Sequence, residues 1–402
     1  MRKLIFLTLI GSSIFWSCLE GDPLHDIDGR NLSKTNIHRD TLYAINSRTV
    51  IGGRVTTALS TKLLLGAYKG FETRTLIQFG TIPSDTLEID SLVLVLTSLS
   101  NQGEAMGPIR GTAYLVTADW PESVNEDETW NWRDNISYLP EYSSSFEISA
   151  ESSQLHSISL PAAMMKVWQD TVGGSKNFGL LLDFNEADYI KQFSSVDALF
   201  SGQRPRLGFS YYNTSLDSTI HDSIFVAKDA SLIEFNGSFD PQKIYIGSGI
   251  SLRSFFEFDL SAIPASAALA TMNFTARRDS LNSVYNPESK QNMYLRTVTT
   301  AFSELPSYQV DSTFTQNLYY TIELQNNVDQ TLSIVNAYRG TGSQNFLQSI
   351  VNGEITYGSF MVQYKYEGED VSVYAIKDGS GLDKNMKPAL IVEYYDIPEP
   401  RL

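Results

Sequence analysis

A repeat of long and nearly constant period constrains the fold of this 402-residue chain more than any other feature. Residues 40–44 (DTLYA), 63–66 (LLLG), 74–79 (RTLIQF), 81–83 (TIP) and 204–207 (RPRL) return as 222–226 (DSIFV), 244–247 (IYIG), 253–258 (RSFFEF), 262–264 (AIP) and 387–390 (KPAL). The offset is 181 residues from Pro83 to Pro264 and 183 residues from Pro205 to Pro388. Ordered motifs at such constant spacing indicate a tandem duplication, with domains over residues 40–213 and 221–396.

Each unit consists mainly of short runs rich in Leu, Ile, Val, Phe and Tyr, bounded by Gly, Pro, Asn, Asp or Ser, which is typical of strands and turns. Each unit also has one segment with helical spacing. The first opens at Pro161 and runs to Trp168, and the second follows Ser343 as a cap and ends before Gly353. The sequence therefore predicts an all-β protein of two tandem jelly-roll-like β-sandwich domains, each with one short helix.

The first residues have the composition of a secretory signal. Arg2 and Lys3 precede an apolar run over residues 4–14 that is too short to cross a bilayer. Ser17 then precedes Cys18, which is the only cysteine of the chain. One interpretation of these residues is an ordinary secretory signal in which the cysteine occurs by chance.

This order resembles the lipobox of bacterial lipoproteins. The resemblance implies a signal peptide over residues 1–17 and a lipid anchor of palmitate type on Cys18. Residues 18–39 would form a polar, acidic tether between the anchor and the first domain. The acids after Cys18 resemble the export signal of some Gram-negative lipoproteins, which implies an outer membrane lipoprotein exposed at the cell surface.

Composition limits the partners that we expect. The net charge of −16 repels nucleic-acid phosphates, so the sequence predicts no nucleic-acid partner and membrane contact through acyl chains alone. Without cysteines beyond Cys18, the domains must be stable through packing rather than disulfides.

Both units also resemble one known family. Residues 253–264 (RSFFEFDLSAIP) resemble the core motif of the DNRLRE-type β-sandwich modules, and residues 74–83 match it with Gly80 in place of the family's Asp. Residues 120–132 and 157–182 resemble the two following blocks of that family. Some members are carbohydrate-binding modules attached to polysaccharide-degrading enzymes and others are uncharacterised surface proteins, so the resemblance implies the fold more firmly than the function.

No specific catalytic constellation is found, and the sequence predicts neither a cofactor nor an enzyme. The acidic cluster at residues 119–128 (DWPESVNEDE) is the one group of carboxylates that could serve a hydrolase or lyase. The same oxygens could bind Ca²⁺, but their spacing matches no EF-hand, and a solvated loop is the favoured interpretation.

Three tryptophans are the best binding candidates. Trp120, Trp130 and Trp132 lie close together in the first unit and have no tryptophan counterpart in the second. Flat indole rings complement the apolar faces of sugars, while acids and amides take the hydroxyls. Packing over the end of a sheet is the alternative role of these rings.

These observations lead to one expectation and two alternatives. We expect a lipid-anchored cell-envelope protein, displayed at the surface, that binds a polysaccharide through its sandwiches without hydrolysing it. The alternatives are a structural or adhesive surface protein that binds another envelope protein, and a polysaccharide lyase or hydrolase.

Overall fold

The structure is a computed structural model. It describes residues 37–51, 55, 57–83, 87–120, 136–170, 177–285, 292–298, 301–305, 315–316, 321–323, 331–335, 348–354, 359–365, 367–379 and 386–396. The predicted signal peptide and Cys18 lie outside these residues, so their assignments stay predictions.

The described chain is built almost wholly of β-strands, as predicted. Its first half contains β1 (Ile37–Ile51), β2 (Lys62–Tyr68), β3 (Phe71–Phe79), β4 (Ile89–Gln102), β5 (Ile109–Val116), β6 (Tyr138–Ile148), β7 (Leu155–Leu160), the helix α1 (Ala162–Gln169), β8 (Leu180–Glu186), β9 (Ile190–Ser194) and β10 (Arg206–Asn213). Its second half contains β11 (Ser218–Phe235), β12 (Ile244–Gly247), β13 (Leu252–Phe258), β14 (Ala267–Val284), β15 (Asn292–Val298), β16 (Thr315–Gln316), β17 (Thr321–Glu323), β18 (Thr331–Val335), β19 (Ser359–Tyr364), β20 (Val373–Ile376) and β21 (Ala389–Asp396). Short 3₁₀ turns cover Ser201–Gln203 and Phe302–Glu304.

The strands β2 to β11 form the first sandwich, through antiparallel pairing. In one sheet, β10 lies between β11 and the first half of β4, which also pairs with β7. In the other sheet, β3 lies between the second half of β11 and the strands β2 and β8. Because β4 and β11 bend and contribute to both sheets, the two sheets enclose one core.

The second sandwich has the same plan and consists of β1 together with β12 to β21. In one sheet, β21 lies between β1 and the first half of β14, which also pairs with β18. In the other sheet, β13 lies between the second half of β1 and the strands β12 and β19. The strand β1 thus takes the place in the second sandwich that β11 takes in the first.

The sheets therefore divide the chain differently from the predicted units 40–213 and 221–396. The first repeat begins with β1, yet β1 pairs with β13 and β21 of the second half. The second repeat begins with β11, yet β11 pairs with β3 and β10 of the first half. Each sandwich is completed by the opening strand of the other repeat.

Two large apolar clusters form the cores. In the first sandwich, side chains of both sheets pack together, among them Leu65, Ile77, Leu94 and Leu207. In the second sandwich, Leu42 of β1 joins a cluster that contains Phe256 and Phe274. The alternation of buried and exposed residues along β7, with every second side chain buried, follows from the two-residue period of a strand.

The glycine that is repeated in both copies has a steric reason. A Cβ on Gly66 would lie 2.3 Å from the carbonyl oxygen of Tyr189, and a Cβ on Gly247 would lie 2.7 Å from that of Ser372. A neighbouring backbone passes too close for any side chain, so glycine is required at both places.

The predicted helices pack against the cores of the two sandwiches, as expected. The helix α1 follows Pro161 and buries Trp168, which packs against Phe79 with ring centroids 5.4 Å apart. In the second half, residues 348–351 are helical, and the earlier part of this predicted helix lies outside the described residues. Val351 is buried in the second core and Gly353 follows with a positive φ of 77°, as in a glycine-terminated helix.

The two sandwiches contact each other through a third apolar cluster. Leu64 and Phe71 of the first sandwich pack with Tyr245, Leu252 and Val373 of the second. A buried hydrogen bond 3.1 Å long from the Gln102 side chain to the carbonyl oxygen of Val371 crosses the same boundary.

Candidate functional site

Trp120, the first of the predicted binding residues, lies in the packed outer face of the first sandwich. Its side chain is 3% exposed, and it covers Leu76, Val116 and Leu181 together with Ala230 and Leu232 of β11. The indole Nε1 donates a 3.0 Å hydrogen bond to the carbonyl oxygen of Phe178.

Lys228 of β11 holds the same tryptophan from the solvent side. Its ammonium lies 4.3 Å from the centre of the indole ring and donates a 2.6 Å hydrogen bond to the Trp120 carbonyl oxygen. It also forms an ion pair with Asp119 at 3.2 Å. A sugar stacks on an open aromatic face, and the Trp120 ring offers none in this arrangement.

The second sandwich has an aromatic residue at the equivalent place. Phe302 packs over Val50 and Phe255, which correspond to Leu232 and Leu76, and the guanidinium of Arg48 lies 5.3 Å from the ring centre. Position 120 is therefore aromatic in both copies and caps the outer face of each sandwich. This gives Trp120 a packing role, and the glycan prediction depends on the other two tryptophans.

Trp130 and Trp132 lie outside the described residues, so their predicted role in glycan binding stays a prediction. The described chain nevertheless fixes both ends of their segment, because Trp120 and Ile136 belong to the same apolar cluster. Of the acidic cluster, Asp119 is described and the remaining carboxylates at positions 122–128 lie outside. Within the described ranges, no three His, Cys, Asp or Glu side chains come together to hold a metal ion.

A surface cleft opens where β11 bends from one sheet to the other. Its volume is about 530 Å³, which lies within the usual range of ligand pockets. The pairing of β11 with β3 shifts register between Val226 and Lys228, and this irregularity produces the bend. The cleft is lined by Gly80, Thr81, Ile82, Pro83, Phe209, Asp222, Ser223, Ile224, Phe225, Val226 and Ala227.

The lining combines apolar rings with hydroxyl and carboxylate oxygens. Phe225 is 57% exposed and presents its ring to solvent, while Phe209 is buried. Asp222, Ser223 and Thr81 supply polar groups beside these rings. In the described structure the Asp222 carboxylate accepts one hydrogen bond, 2.7 Å long, from the Ser223 backbone N–H. Asp222 is exposed, so its carboxylate is accessible to a ligand hydroxyl.

The cleft lies beside the base of the tryptophan segment. Ala227 lines the cleft, and the next residue is the Lys228 that holds Trp120. Asn177 donates 2.8 Å and 3.2 Å hydrogen bonds to the carbonyl oxygens of Phe79 and Gly80, next to the Phe178 that accepts from Trp120. Sequence reasoning missed the cleft because no motif singles out Phe225. Its recurrence as Tyr43, another exposed aromatic, is the one signal that could have indicated it.

At the equivalent place in the second sandwich, the aspartate interacts with a neighbouring side chain. Asp40 corresponds to Asp222, and its carboxylate accepts a 2.8 Å hydrogen bond from the Tyr394 hydroxyl. The His38 ring stacks on Tyr394 with centroids 5.4 Å apart. The equivalent of Tyr394 in the first sandwich, Tyr211, stacks instead on Phe209.

The first sandwich also buries an acidic side chain of the strand β11. Asp229 of β11 is fully buried and accepts a 2.7 Å hydrogen bond from the backbone N–H of Val196. Burial raises the pKa of this carboxyl to about 7, against the lowering effect of that hydrogen bond. The neighbouring charge of Asp197 raises it further.

A serine–histidine pair occurs in the described chain, but its surroundings are those of a structural contact. The Nε2 atom of His156 lies 3.1 Å from the Ser98 hydroxyl, and both residues are buried. Burial lowers the pKa of His156, and so does the adjacent Lys191. The Ser98 Oγ lies 3.3 Å and 3.2 Å from the carbonyl oxygens of Glu151 and Gln154 and accepts a 3.0 Å hydrogen bond from the Gln154 backbone N–H, so it is held within the fold.

Comparisons with known proteins add little to this geometry. No family model and no curated protein matches the chain. Among solved structures, the C-terminal domain of the AgI/II polypeptide BspA from Streptococcus agalactiae is 9% identical, with a TM-score of 0.15, over 86% of this chain and 89% of that one. The Macrobrachium rosenbergii nodavirus structure is 10% identical, with a TM-score of 0.11, over 93% of this chain and 94% of that one. Likenesses this weak carry no argument about function.

Within the described residues, no helix has the length and apolarity needed to cross a bilayer.

Proposed function

We propose that the protein is a lipid-anchored protein of the bacterial cell envelope, displayed at the outer membrane, whose first sandwich binds a glycan without hydrolysing it. The observation that carries this proposal is the cleft at the bend of β11. It combines an exposed aromatic ring with a carboxylate and two hydroxyls beside the base of the segment that bears Trp130 and Trp132.

The chemistry of the cleft suits a sugar ring. The axial C–H groups of a pyranose are apolar and pack on an aromatic face, for which Phe225 is the exposed candidate. The ring hydroxyls need acceptors and donors at the edge, which Asp222, Ser223 and Thr81 supply. An anionic polysaccharide would be repelled by Asp222 and by the net charge of −16, so a neutral glycan is favoured.

Binding to immobilised polysaccharides tests the proposal. A neutral glycan should retard the protein in an affinity gel, and Phe225→Ala or Trp132→Ala should each weaken binding about fivefold, because stacking on one ring contributes on the order of 1 kcal/mol. Tyr43→Ala is the matched control, since Tyr43 occupies the equivalent position in the second sandwich, where the Asp40 carboxylate already accepts a hydrogen bond from Tyr394. It should leave binding unchanged.

The thermal melt of each variant separates binding from folding. Variants that bind weakly and melt like the wild type support the proposal. If no neutral or acidic glycan retards the wild-type protein, the binding proposal fails. Release of shortened oligosaccharides during the same incubation would identify a hydrolase or lyase instead.

The membrane anchor is tested separately. Cys18→Ser should abolish incorporation of labelled palmitate and release the protein from the membrane fraction, because Cys18 is the only thiol of the chain. Unchanged membrane retention in the absence of label would contradict the anchor.

A structural or adhesive role is the second candidate, and the junction between the sandwiches favours it. Leu64, Phe71, Tyr245 and Val373 belong to an apolar cluster across the boundary, so the two sandwiches share a packed interface and are not joined by a linker alone. A partner protein captured by the wild type and lost on Tyr212→Ala, an exposed tyrosine away from the cleft, would support this second role over glycan binding.

A further inference from the structure

The strand β1 is the part of the second sandwich that comes from elsewhere in the chain. Every other described strand of this sandwich lies between Ile244 and Asp396, whereas β1 lies in front of the whole first sandwich. The acceptor groove, formed by the edges of β13 and β21, therefore already receives a strand that is not contiguous with it. A groove of this kind does not distinguish the β1 of its own chain from that of a second copy.

We propose that β1 is an exchangeable strand, which enters the second sandwich of a neighbouring copy in the way that it enters the second sandwich of its own chain. This inference is independent of glycan binding. The partner is a second copy of this chain, and the interaction surface is the groove between β13 and β21.

The contacts of β1 account for its affinity for the groove. Its backbone pairs with β21 over residues 37–43 and with β13 over residues 44–51. Leu42 and Val50 insert into apolar clusters of the second sandwich and are 7% and 0% exposed. A strand from a second copy would make the same hydrogen bonds and bury the same side chains, so exchange is close to neutral in free energy apart from the cost of association.

Single residues direct β1 to the second sandwich rather than the first. Arg48 points to the rim of its groove and donates a 2.8 Å hydrogen bond to the carbonyl oxygen of Leu305. The equivalent residue of β11 is Ala230, which is 5% exposed beneath Trp120 and Leu76. An arginine at that place would bury an unpaired charge, so β1 cannot replace β11 in the first sandwich.

Paired cysteines can trap the exchange because two hydroxyls face each other across the groove. The Thr49 and Ser254 oxygens are 3.3 Å apart. With Cys18→Ser as the background, Thr49→Cys is made in one copy of the full chain and Ser254→Cys in another. The two are mixed, cycled through partial denaturation and oxidised. A disulfide between the copies can form only when the β1 strand of one lies in the second sandwich of the other.

The first sandwich supplies the matched control. Thr75 corresponds to Ser254, since the Thr75 hydroxyl donates to Leu64 O as the Ser254 hydroxyl donates to Tyr245 O, and their exposures are 1% and 0%. The mixture of Thr49→Cys with Ser254→Cys should give at least about tenfold more linked dimer than the mixture of Thr49→Cys with Thr75→Cys.

The double variant Thr49→Cys/Ser254→Cys in one chain shows that the pair can link and that the cysteine variants fold. It should give a linked monomer. If this monomer forms while the mixture yields no more dimer than the Thr75→Cys control, β1 stays with its own chain and the proposal is overturned.

Discussion

The two sandwiches share one backbone plan but close the same end of the core in different ways. In the first, Lys191 pairs with Leu65 of β2, and in the second Tyr374 pairs with Ile246 of β12 at the equivalent position. Lys191 is fully buried and donates hydrogen bonds of 2.8 Å to Glu151 O and 3.2 Å to Asn101 Oδ1. Burial lowers its pKa to about 8, with the charge of Glu151 acting in the opposite direction.

In the second sandwich the buried cation comes from a different strand. Arg278 of β14 corresponds to Ser98 of β4, and its guanidinium lies 4.1 Å from the ring centre of Tyr285 and 6.0 Å from that of Tyr374. Tyr374 in turn stacks near Tyr364 at 6.1 Å. Carbonyl and amide oxygens bind the cation of the first copy, which also lies 6.0 Å from the ring centre of Tyr189, whereas the cation of the second copy lies against two aromatic rings.

This difference shows which features remained the same in the two copies after the duplication. Strand pairing and apolar cores agree position by position, because a changed register would move a whole strand face out of the core. The polar side chains at the end of each core need only fit their immediate neighbours, so they differ between the two copies.

The largest effect concerns the boundary of the folding unit. A fragment over residues 36–214 contains β1 without its partners and lacks β11, so it should fail to melt cooperatively. A fragment over residues 55–237 has the same repeat with β11 and should fold. Circular dichroism and thermal melting of both fragments give the answer. Cooperative folding of 36–214 together with failure of 55–237 would mean that the repeats, rather than the sandwiches, are the folding units.

The residues that distinguish β1 from β11 at one equivalent position, Arg48 and Ala230, can be exchanged by substitution. Ala230→Arg should lower the free energy of unfolding by about 5 kcal/mol, because it inserts a charge and a long side chain beneath Trp120. The reverse change in the other copy, Arg48→Ala, removes one partly buried hydrogen bond and the contact with the Phe302 ring, and should cost about 2 kcal/mol. Urea unfolding measures both. Equal losses would show that the two outer faces do not differ in this way.

The smallest of the three effects depends on pH. The pKa of Asp229 is raised to about 7 in the folded state, above its usual unfolded value, so the folded protein favours the protonated form. The free-energy cost of burying the ionised Asp229 carboxylate is absent below about pH 4 and grows as the pH rises towards 7. Above pH 7 it is constant, at a total of about 4 kcal/mol.

Asp229→Asn should remove this dependence and stabilise the first sandwich at pH 8 relative to the wild type. Asp222→Asn is the control, since it makes the same change of side chain at an exposed position of the same strand and so isolates the effect of burial. Urea midpoints measured from pH 4 to pH 8 test the prediction. A wild-type profile that is flat across this interval would contradict the burial of a charged Asp229.

Part of the fold could be predicted from the sequence because its signals are local. The run from Arg74 to Phe79, the helix that ends near Trp168 and the repeated glycines each depend on neighbours in the chain or on a recurring motif. The pairing of β1 with the second half could not be predicted, since residues 40–44 and 222–226 have nearly the same sequence pattern, and this pattern alone does not indicate which sandwich each strand joins. Single residues such as Arg48 and Ala230 decide the matter, and their effect is visible only with the partner strand in place.

The site was harder to predict for a related reason. An aromatic residue in the sequence indicates a ring that makes contacts. It does not show whether that ring packs against the protein or stacks on a ligand. Trp120 was expected to bind and is packed, whereas Phe225, which no motif indicated, is exposed in a cleft.

The crossed position of β1 also sets the order in which the molecule can fold. Residues 44–51 of β1 can pair once β13 has been made, but Ile37 pairs with Tyr395, so residues 37–43 must wait for β21, the last described strand, before their hydrogen bonds can form. Contacts so distant in sequence slow folding, and an unsatisfied strand is exposed to aggregation in the meantime. The first sandwich can fold as soon as β11 has been made, so it will be complete while β1 is still unpaired. Residues 37–43 of β1 therefore stay without their partner strand longer than any other described segment of the chain.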